Sequence, residues 1–524
     1  MLKKIILFSI LCFISSVSFS QEKEDGNSQL DRANWEKLLT SDPKTGLIPR
    51  NELENARVEM LRTIQRNKSS RVNSAIPNVK WMERGPNNIG GRTRAMLWDP
   101  SDSTKKKVWV GGVAGGLWFN KDITDEKSAW QKVNDLWDNI AIGWIAADPS
   151  NAKIIYVGTG ERGGSGSTDN TGGSGSGGAG IWKTIDGGTT WKRLPSTIPD
   201  YVKLTIRAGW REIYKIIVNA KGEIFVLNYA GVYRSNDGGT TWEALSGTNA
   251  PSNANSERVS DMEIGSDGIL YVAEGSGLFA AKMMKSTDAT VTAFKEITPM
   301  GTFDNGRVEF ALAPSTKGDN QVIYAVSALS GSAKANFFLR SNDAGVTWTP
   351  MKVPVYDDLN NGPEKPFMGD QGSYDLILGT HETNPKALYV AGVAYSVSVD
   401  GGDTWLPKKG YSELGELMHV DNHAFVARPG FPDEAIFGND GGVFYAPDWA
   451  SSGKNYPKIK SRNKNYNVTQ YFSIDINPVA NSGTIVVGSQ ASTRTRNRYS
   501  QAAPNIFKSG AANSALPVFR RRLT

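Results

Sequence analysis

The sequence predicts an all-β protein, a β-propeller of about seven four-stranded blades, and three observations support this fold class. A pattern of the form S/T-x-D-x-G-x-T-W occurs four times, at 184–191, 235–242, 341–348 and 398–405. With weaker copies in the intervals, an aspartate recurs at 122, 186, 237, 288, 343, 400 and 448, about fifty to sixty residues apart, which is the length of one blade. Short apolar or alternating segments, such as KIIYVGTG (153–160), lie between the copies and are punctuated by glycine, as strands are.

The four complete copies of the pattern are interpreted as structural turns. In each, the Asp and Ser/Thr side chains are expected to bond to backbone N–H groups, and the glycines to adopt positive φ angles. The Trp is expected to pack beside the hairpin, between neighbouring blades. The copies should therefore lie on the outer rim, away from the central channel, and their key residues are Asp186 and Trp191, Asp237 and Trp242, Asp343 and Trp348, and Asp400 and Trp405.

Residues 1–20 have the features of a cleavable signal peptide. Two lysines precede an apolar run, and small residues at 18 and 20 precede a cleavage site before Gln21. The apolar run is short for a bilayer, so we expect a secreted, periplasmic or cell-surface protein with no membrane span after cleavage. The one cysteine, Cys12, lies in this segment, so we expect a mature protein without disulfides.

The rest of the chain divides by composition into four segments. Residues 21–79 are polar, with one helix predicted over 50–67 from its apolar spacing. Residues 80–465 contain the repeats, and 466–490 are predicted to be the first strands of a further blade. Residues 491–524 carry seven basic residues and no acid. We interpret this end either as the product of a frameshift near residue 490 or as a natural basic tail for an acidic surface.

The net charge of +6 is concentrated at the two ends of the chain. Nine of the 59 basic residues lie in 1–20 and 491–524, whereas none of the 53 acidic residues does. The body of the protein therefore has a slight excess of acidic residues. This composition gives no support to a nucleic-acid partner.

The repeated pattern is that of the Asp-box, or BNR repeat, and residues 80–490 resemble Asp-box β-propellers. A narrower resemblance is to secreted, sortilin-like propellers of the Bacteroidetes type, which are often labelled glycosyl hydrolase-like. It rests on WMERGPNNIGGRTRAMLWDP (81–100), VWVGGVAGGLW (108–118), AIGWIAADPSN (141–151), VGTGE (157–161), HVDNHAFVARP (419–429) and GNDGGVF (438–444). The resemblance implies the propeller fold, but Asp-boxes occur in proteins of unrelated function, so it does not imply an activity.

The segment HVDNH contains two of the three histidines of the chain. If it is a strand, His419, Asp421 and His423 project from one face and their side chains converge. Such a set would suit a divalent metal such as Zn, Ni, Fe or Mn, or would form an acid–base pair. The alternative is that these groups bond to one another and to the backbone without a ligand. Nearby Asp440, in GNDGG, could join the site, although a turn role is favoured.

Three more residues are candidates for ligand binding. Glu161 lies at the root of the glycine-rich stretch 158–180, which lacks the G-K-[ST] of a phosphate loop. Its carboxylate could face the channel and bind a sugar or a cation, or it could be a solvated loop residue. Arg92 and Arg94, in GGRTR, could anchor an anionic substrate or form structural salt bridges. Aromatic residues that could stack on sugars, although most are expected in the core, are Trp98, Trp118, Trp137 and Trp144.

Two hydrolase templates suggested by the resemblance do not match this sequence. A sialidase would carry R-I-P in the first blade, where this chain has RTRAML (92–97). A xyloglucanase-type enzyme would carry a catalytic Asp where Val113 stands in GVAGG (112–116). A glycosidase needs two carboxylates, so losing one removes that mechanism.

The sequence therefore favours a secreted propeller that binds or scaffolds an extracellular glycan or protein. The first alternative is a glycoside hydrolase or lyase active on polysaccharide, with His419, Asp421, His423 and Glu161 as acid–base groups or metal ligands. The second alternative is a sortilin-like peptide-binding domain.

Overall fold

The computed structural model describes residues 41–46, 50–69, 87–134, 137, 140–162, 177–199, 209–245, 259–275, 280–299, 303–329, 332–358, 363–450, 455–471, 473–476, 485–489 and 508–511. The signal-peptide prediction and most of the predicted tail lie outside these residues. A small unit that includes residues 1–71 contains α1 (Arg50–Ser69), which covers the predicted helix. Within the described part of the chain, no helix is long and apolar enough to span a bilayer.

Antiparallel sheets follow one another along the chain as blades, each in the order of its strands. Blade 1 contains β1 (Thr93–Trp98), β2 (Val108–Gly112), β3 (Gly116–Asn120) and β4 (Gln131–Lys132). Blade 2 contains β5 (Ile142–Asp148), β6 (Asn151–Thr159), β7 (Ile181–Thr184) and β8 (Lys192–Arg193). Blade 3 contains β9 (Ile213–Val218), β10 (Ile224–Asn228), β11 (Gly231–Ser235) and β12 (Glu243–Ala244). Blade 4 contains β13 (Val259–Ile264), β14 (Leu270–Glu274), β15 (Lys282–Ser286) and β16 (Phe294–Glu296).

The next three blades carry two insertions between them. Blade 5 contains β17 (Gly306–Leu312), β18 (Ile323–Leu329), β19 (Ala335–Ser341) and β20 (Thr349–Pro350), and a hairpin of β21 (Val355–Asp357) and β22 (Glu364–Pro366) follows it. Blade 6 contains β23 (Ile377–Thr380), β24 (Leu388–Ala391) and β25 (Tyr395–Ser398), and α2 (Tyr411–Leu417) follows it. Blade 7 contains β26 (Asn422–Arg428), β27 (Phe431–Asn439), β28 (Gly442–Ala446) and β29 (Lys460–Ser461). Short 3-10 helices lie at Pro195–Thr197, Gly209–Arg211 and Gly318–Asn320.

The seven blades form a closed ring, which confirms the predicted fold class. The first strands of successive blades contact one another, and β1 of blade 1 also contacts β26 of blade 7. Blades 1 and 7 share no strand, so side-chain packing and hydrogen bonds, such as that from Arg428 Nε to the Lys105 carbonyl at 2.7 Å, close the ring. In this joint, Met96 and Val110 of blade 1 share a core with Ile436 of blade 7, and Tyr466 and Val468 complete it. These last two residues therefore pack in the joint, although the sequence analysis assigned them to a further blade.

A small sheet follows the ring. β30 (Ser473–Ile476) pairs antiparallel with β31 (Ile485–Ser489), as expected of the first two strands of a further blade. β32 (Lys508–Ala511), from the predicted tail, pairs parallel with β31. Every pairing within the seven blades is antiparallel, so this third strand departs from the blade pattern. The origin of the tail stays a prediction.

The four repeated turns have the predicted local geometry. In the turn at 235–242, the Ser235 hydroxyl lies 2.8 Å from an Asp237 carboxylate oxygen, and that carboxylate accepts the Thr241 backbone N–H at 2.9 Å. Gly239 has a φ of +93°, in the region that glycine adopts without strain. The corresponding Ser/Thr–Asp contacts in the other turns measure 2.7 Å and join Thr184 to Asp186, Ser341 to Asp343, and Ser398 to Asp400.

The tryptophans of these turns join each blade to the one before it. The indole N–H of Trp242 donates to Ser196 at 3.1 Å. Those of Trp348 and Trp405 donate to the carbonyls of Ile297 and Lys352, at 2.8 and 2.9 Å. Trp191 packs edge-on against the indole of Trp109 in blade 1, with 6.0 Å between the ring centroids. The repeated segments are thus structural, as predicted.

Candidate functional site

The candidate site is a cluster of charged side chains at the axis of the ring, centred on Arg92. The Arg92 guanidinium lies 3.1 Å from an oxygen of Asp440 in blade 7 and 3.3 Å from one of Glu161 in blade 2. It also donates to the hydroxyl of Tyr374, just before blade 6, at 2.8 Å. The Tyr374 hydroxyl donates in turn to Glu161. A side chain from blade 1 that reaches three other blades must lie where all of them converge.

The topology explains why these residues meet at one end of the ring. In each blade the start of the first strand pairs with the end of the second, as Thr93 with Gly112, Ile142 with Thr159, and Asn422 with Asn439. Residues just before a first strand therefore lie beside residues just after a second strand. Arg92 and Tyr374 are of the former kind, and Glu161 and Asp440 are of the latter.

His423 occupies the centre of the polar network. Its Nε2 lies 2.8 Å from Asp440, and its Nδ1 lies 3.2 Å from the Arg94 guanidinium. A guanidinium only donates, so Nδ1 accepts, and the ring proton is on Nε2, where it is donated to Asp440. Burial and the charges of Arg94 and Arg92 lower the pKa of His423 to about 4, despite the carboxylate. The imidazole is therefore neutral near pH 7.

Asp375 is a buried carboxyl group beside this histidine. One of its oxygens lies 3.2 Å from His423 Nδ1, but neither receives a well-directed hydrogen bond from the described residues. Burial and the charges of Asp421 and Asp440 raise the pKa of Asp375 well above its ordinary value. The shift favours the neutral form, which suits a buried carboxyl that receives no well-directed hydrogen bond from the described residues.

The two remaining carboxyl groups differ in protonation. Burial alone would raise the pKa of Asp440, but the hydrogen bond from His423 and the charge of Arg92 hold it well below its usual range. Burial and the neighbouring Asp440 raise the pKa of Asp421 to about 7. Asp421 accepts a hydrogen bond from Gln371 at 3.3 Å. The site thus places one carboxylate that is firmly ionised near one that titrates around neutral pH.

The predicted strand face of His419, Asp421 and His423 is wrong. The strand begins only at Asn422, and Asp421 has a φ of +60°, which interrupts the strand alternation before it. His419 instead packs on the backbone of Gly441 and its Nδ1 lies 2.8 Å from the Val420 carbonyl. Across the residues that the structure describes, no group of three or more His, Cys, Asp or Glu side chains is placed to hold a metal ion.

The structure also shows the surroundings of the other candidate residues. Glu161 is buried in the site and is not a solvated loop residue. Asp440 lies in the turn between β27 and β28, but its carboxylate bonds to Arg92 and His423, so it joins the cluster as the alternative expected. Arg92 forms salt bridges, whereas Arg94 forms none with the described residues, so the two arginines differ.

Most of the tryptophans named above as candidates for stacking on sugars lie in the core. Trp98, Trp118 and Trp137 are 3–6% exposed. Trp144 is partly exposed, with the Lys215 ammonium 5.3 Å from its ring centroid. An aromatic residue that the sequence analysis missed, Tyr411 of α2, is 37% exposed beside the site.

Tyr411 belongs to the two insertions that flank the site. Its ring centroid lies 6.4 Å from that of Tyr356 in the β21–β22 hairpin, and a bridge between Asp357 and Gly410 joins the two insertions. Burial and the charges of Asp421 and Asp358 raise the pKa of Tyr411 to about 12. α2 and Asp421 both come directly before β26, so they lie at the end of blade 7 where the site is. Tyr374 was also missed. Its only signal was the polar stretch MGDQGSYD (368–375) directly before a first strand.

Comparisons with known proteins give partial similarity. No protein-family profile matches the chain. A xyloglucanase of Acetivibrio thermocellus, Xgh74A, is 26% identical over 292 residues, which cover 47% of this chain and 32% of the xyloglucanase. The chain thus matches about a third of the length of this curated relative.

Solved structures with similar coordinates include two GH74 proteins. They are a xyloglucanase from Xanthomonas campestris (TM-score 0.48, 15% identity, 70% of this chain and 53% of that one) and an enzyme from Niastella koreensis (0.47, 16%, 73% and 55%). A third is the extracellular domain of a putative one-component system from B. thetaiotaomicron (0.42, 10%, 68% and 38%). Function has to be argued from the chemistry of the site.

Proposed function

We propose that this protein is an exported propeller that binds carbohydrate at the end of the ring axis where Arg92 lies. The observation that carries the proposal is the exposed ring of Tyr411 at the same end of the ring as three polar groups, the partly exposed Asp421 and Arg92 and the exposed Gln371. Sugars are recognised by aromatic faces that pack on the pyranose ring and by fixed polar groups that bond to its hydroxyls.

Two further facts support a carbohydrate ligand. The partial sequence similarity is to a protein named as a xyloglucanase. The predicted signal peptide would bring the protein to the compartment where polysaccharides are encountered. Binding is placed before hydrolysis because Glu161 and Asp440 are both ion-paired with the single guanidinium of Arg92. A glycosidase needs its two carboxyl groups free to flank the scissile bond.

A second candidate function is a glycoside hydrolase or lyase, and one observation favours it. Asp421, with a pKa of about 7, could hold a proton at neutral pH while nearby Asp440 is ionised. A carboxylic acid and a carboxylate in one site are the two states that acid–base catalysis uses. In that case Asp421→Asn would abolish cleavage of the polysaccharide, whereas sugar binding would persist.

The first test is calorimetric titration of the mature chain from Gln21 with oligosaccharides, beginning with those of xyloglucan. Tyr411→Ala is expected to weaken binding about five- to tenfold, because a stacking surface is lost. The matched control is Phe431→Ala, which removes an aromatic ring of similar exposure from the opposite end of blade 7. Absence of binding to any glycan, together with binding to peptides, would replace the proposal with a peptide-binding one. Equal losses in the two variants would also contradict it.

A further inference from the structure

We infer that the carbohydrate bound by this site carries a negatively charged group, a carboxylate or a sulfate ester, and that Arg94 holds that group. The inference rests on the proposed function and specifies the class of its ligand.

Arg94 is a cation without a counter-ion in the described structure. It lies on β1 and is partly exposed, and no carboxylate of the described residues is within 4 Å of its guanidinium. Its Nη2 faces a neutral acceptor, His423 Nδ1, at 3.2 Å, and its buried Nε has no acceptor. Its guanidinium carbon lies 4.4 Å from the centroid of the Tyr374 ring. The Arg94 guanidinium therefore has N–H donors that form no hydrogen bond with the described residues.

Arg92 shows what a paired guanidinium looks like in the same place. It lies two residues away, and it has Asp440 and Glu161 within 3.3 Å. In the GGRTR segment, Arg92 thus has two carboxylate partners, whereas Arg94 has none within 4 Å among the described residues. If both arginines served only to stabilise the fold, we would expect both to be ion-paired.

A second arginine lies beside Arg94. Arg307 of blade 5 donates to the backbone carbonyl of Tyr374 at 2.8 Å, so Arg94 and Arg307 contact the same tyrosine. Arg307 is paired with Glu309 at 2.8 Å, whereas Arg94 has no carboxylate within 4 Å among the described residues. Burial and the charges of Arg162 and Arg94 lower the pKa of Arg307, although Glu309 opposes this. An anion bound at Arg94 would relieve its repulsion of Arg307.

The geometry of guanidinium defines the ligand. Its planar donors match the paired oxygens of a carboxylate or a sulfate and form charge-assisted hydrogen bonds with them. The hydroxyls of a neutral sugar would leave the positive charge uncompensated. An acidic sugar would bind with its ring near Tyr411 and its anionic group at Arg94.

The experiment compares three oligosaccharides with the mature chain at low ionic strength: neutral xyloglucan, oligogalacturonate and a sulfated galactan. Binding of at least one acidic oligosaccharide is expected to be about tenfold or more tighter than that of the neutral one. Arg94→Gln should remove this advantage and weaken neutral binding much less than acidic binding, because glutamine can still donate to His423. Arg94→Lys, which restores the charge, should recover part of it. The two acidic probes distinguish a carboxylate from a sulfate ester.

The matched control is Arg340→Gln. Arg340 lies on β19 of blade 5 and bonds to Gly401 and Asp403, which follow β25 of blade 6. This substitution should change none of the affinities. The inference is overturned if acidic oligosaccharides bind no tighter than the neutral one, or if Arg94→Gln weakens all three equally. Neutral binding without an acidic preference would leave the proposed function standing. Absence of binding to all three would overturn both.

Discussion

Two networks of charged groups near the ring axis, one centred on Lys215 and one on Arg92, differ in how completely they are paired. In blades 3 to 5, the buried ammonium of Lys215 has Asp261 at 2.8 Å and Glu263 at 2.6 Å. Asp261 also accepts the backbone N–H of Phe310 at 2.9 Å, so this network joins three blades. In the half that contains Arg92, the described structure leaves Arg94 without a carboxylate and Asp375 without a hydrogen-bond donor.

The comparison separates two uses of buried charge. A network whose members are all paired costs little in the folded state and fixes the relative positions of its blades. A site whose members are left partly unpaired costs stability, and this cost is acceptable where a ligand completes the set. By this criterion the Lys215 network is structural, and the Arg92 half is the side of the ring where we propose that the ligand binds.

The largest expected effect comes from breaking the paired half. Lys215→Met would leave Asp261 buried without its cation, and the free energy of unfolding should fall by about 3–5 kcal/mol. Equilibrium unfolding in urea would measure it. The control is Lys408→Met, which removes another lysine with two carboxylate partners, Asp357 and Glu364, at the surface. That variant should change stability little, and equal losses in the two variants would contradict the comparison.

A smaller loss of unfolding free energy is expected from substitutions of Arg92 and Arg94. Arg92→Gln leaves the buried carboxylates of Asp440 and Glu161 without their shared cation and should cost about 1–3 kcal/mol of unfolding free energy. Arg94→Gln removes no ion pair and should cost less than about 1 kcal/mol, mainly the contact with the Tyr374 ring. The same urea measurement checks both. A larger cost for Arg94 would mean that its role is structural.

A separate effect is expected in the pH dependence of stability. The pKa of Asp421 is about 7 in the folded protein, above its value of about 3.9 in an unfolded chain. Its contribution to stability is therefore full below about pH 4 and is lost as pH rises through about 7. Asp421→Asn should remove this decline, so thermal unfolding temperatures of variant and wild type should diverge across that range. Parallel curves would contradict the assignment.

The fold could be predicted because its signals are local. Each repeated turn is encoded in about eight consecutive residues, in which Ser235, Asp237 and Gly239 define one hairpin end. Repetition of the turn then gives the number of blades. The tryptophan of each turn reaches only to the adjacent blade, so its position could be predicted as well.

The site could be predicted only in part because it is assembled across the whole chain. Arg92 and Asp440 are 348 residues apart, and no pattern in either segment indicates that they meet. Tyr374 has no motif of its own. The HVDNH interpretation failed for a local reason, since the alternation of a strand was extended through Asp421, whose positive φ a sequence does not reveal. The unequal pairing of Arg92 and Arg94 depends on those distant partners.

The closure of the ring between its first and last blades has a consequence for synthesis. As the chain emerges from the ribosome, Arg92 and Glu161 are made early, but Tyr374 and Asp440 arrive only with the last two blades. Tyr466, which completes the joint, arrives later still. A chain that stops after blade 5 therefore lacks two of the four side chains of the Arg92 cluster. The cluster is complete only once blade 7 has been added, so the binding that we propose would require all seven blades.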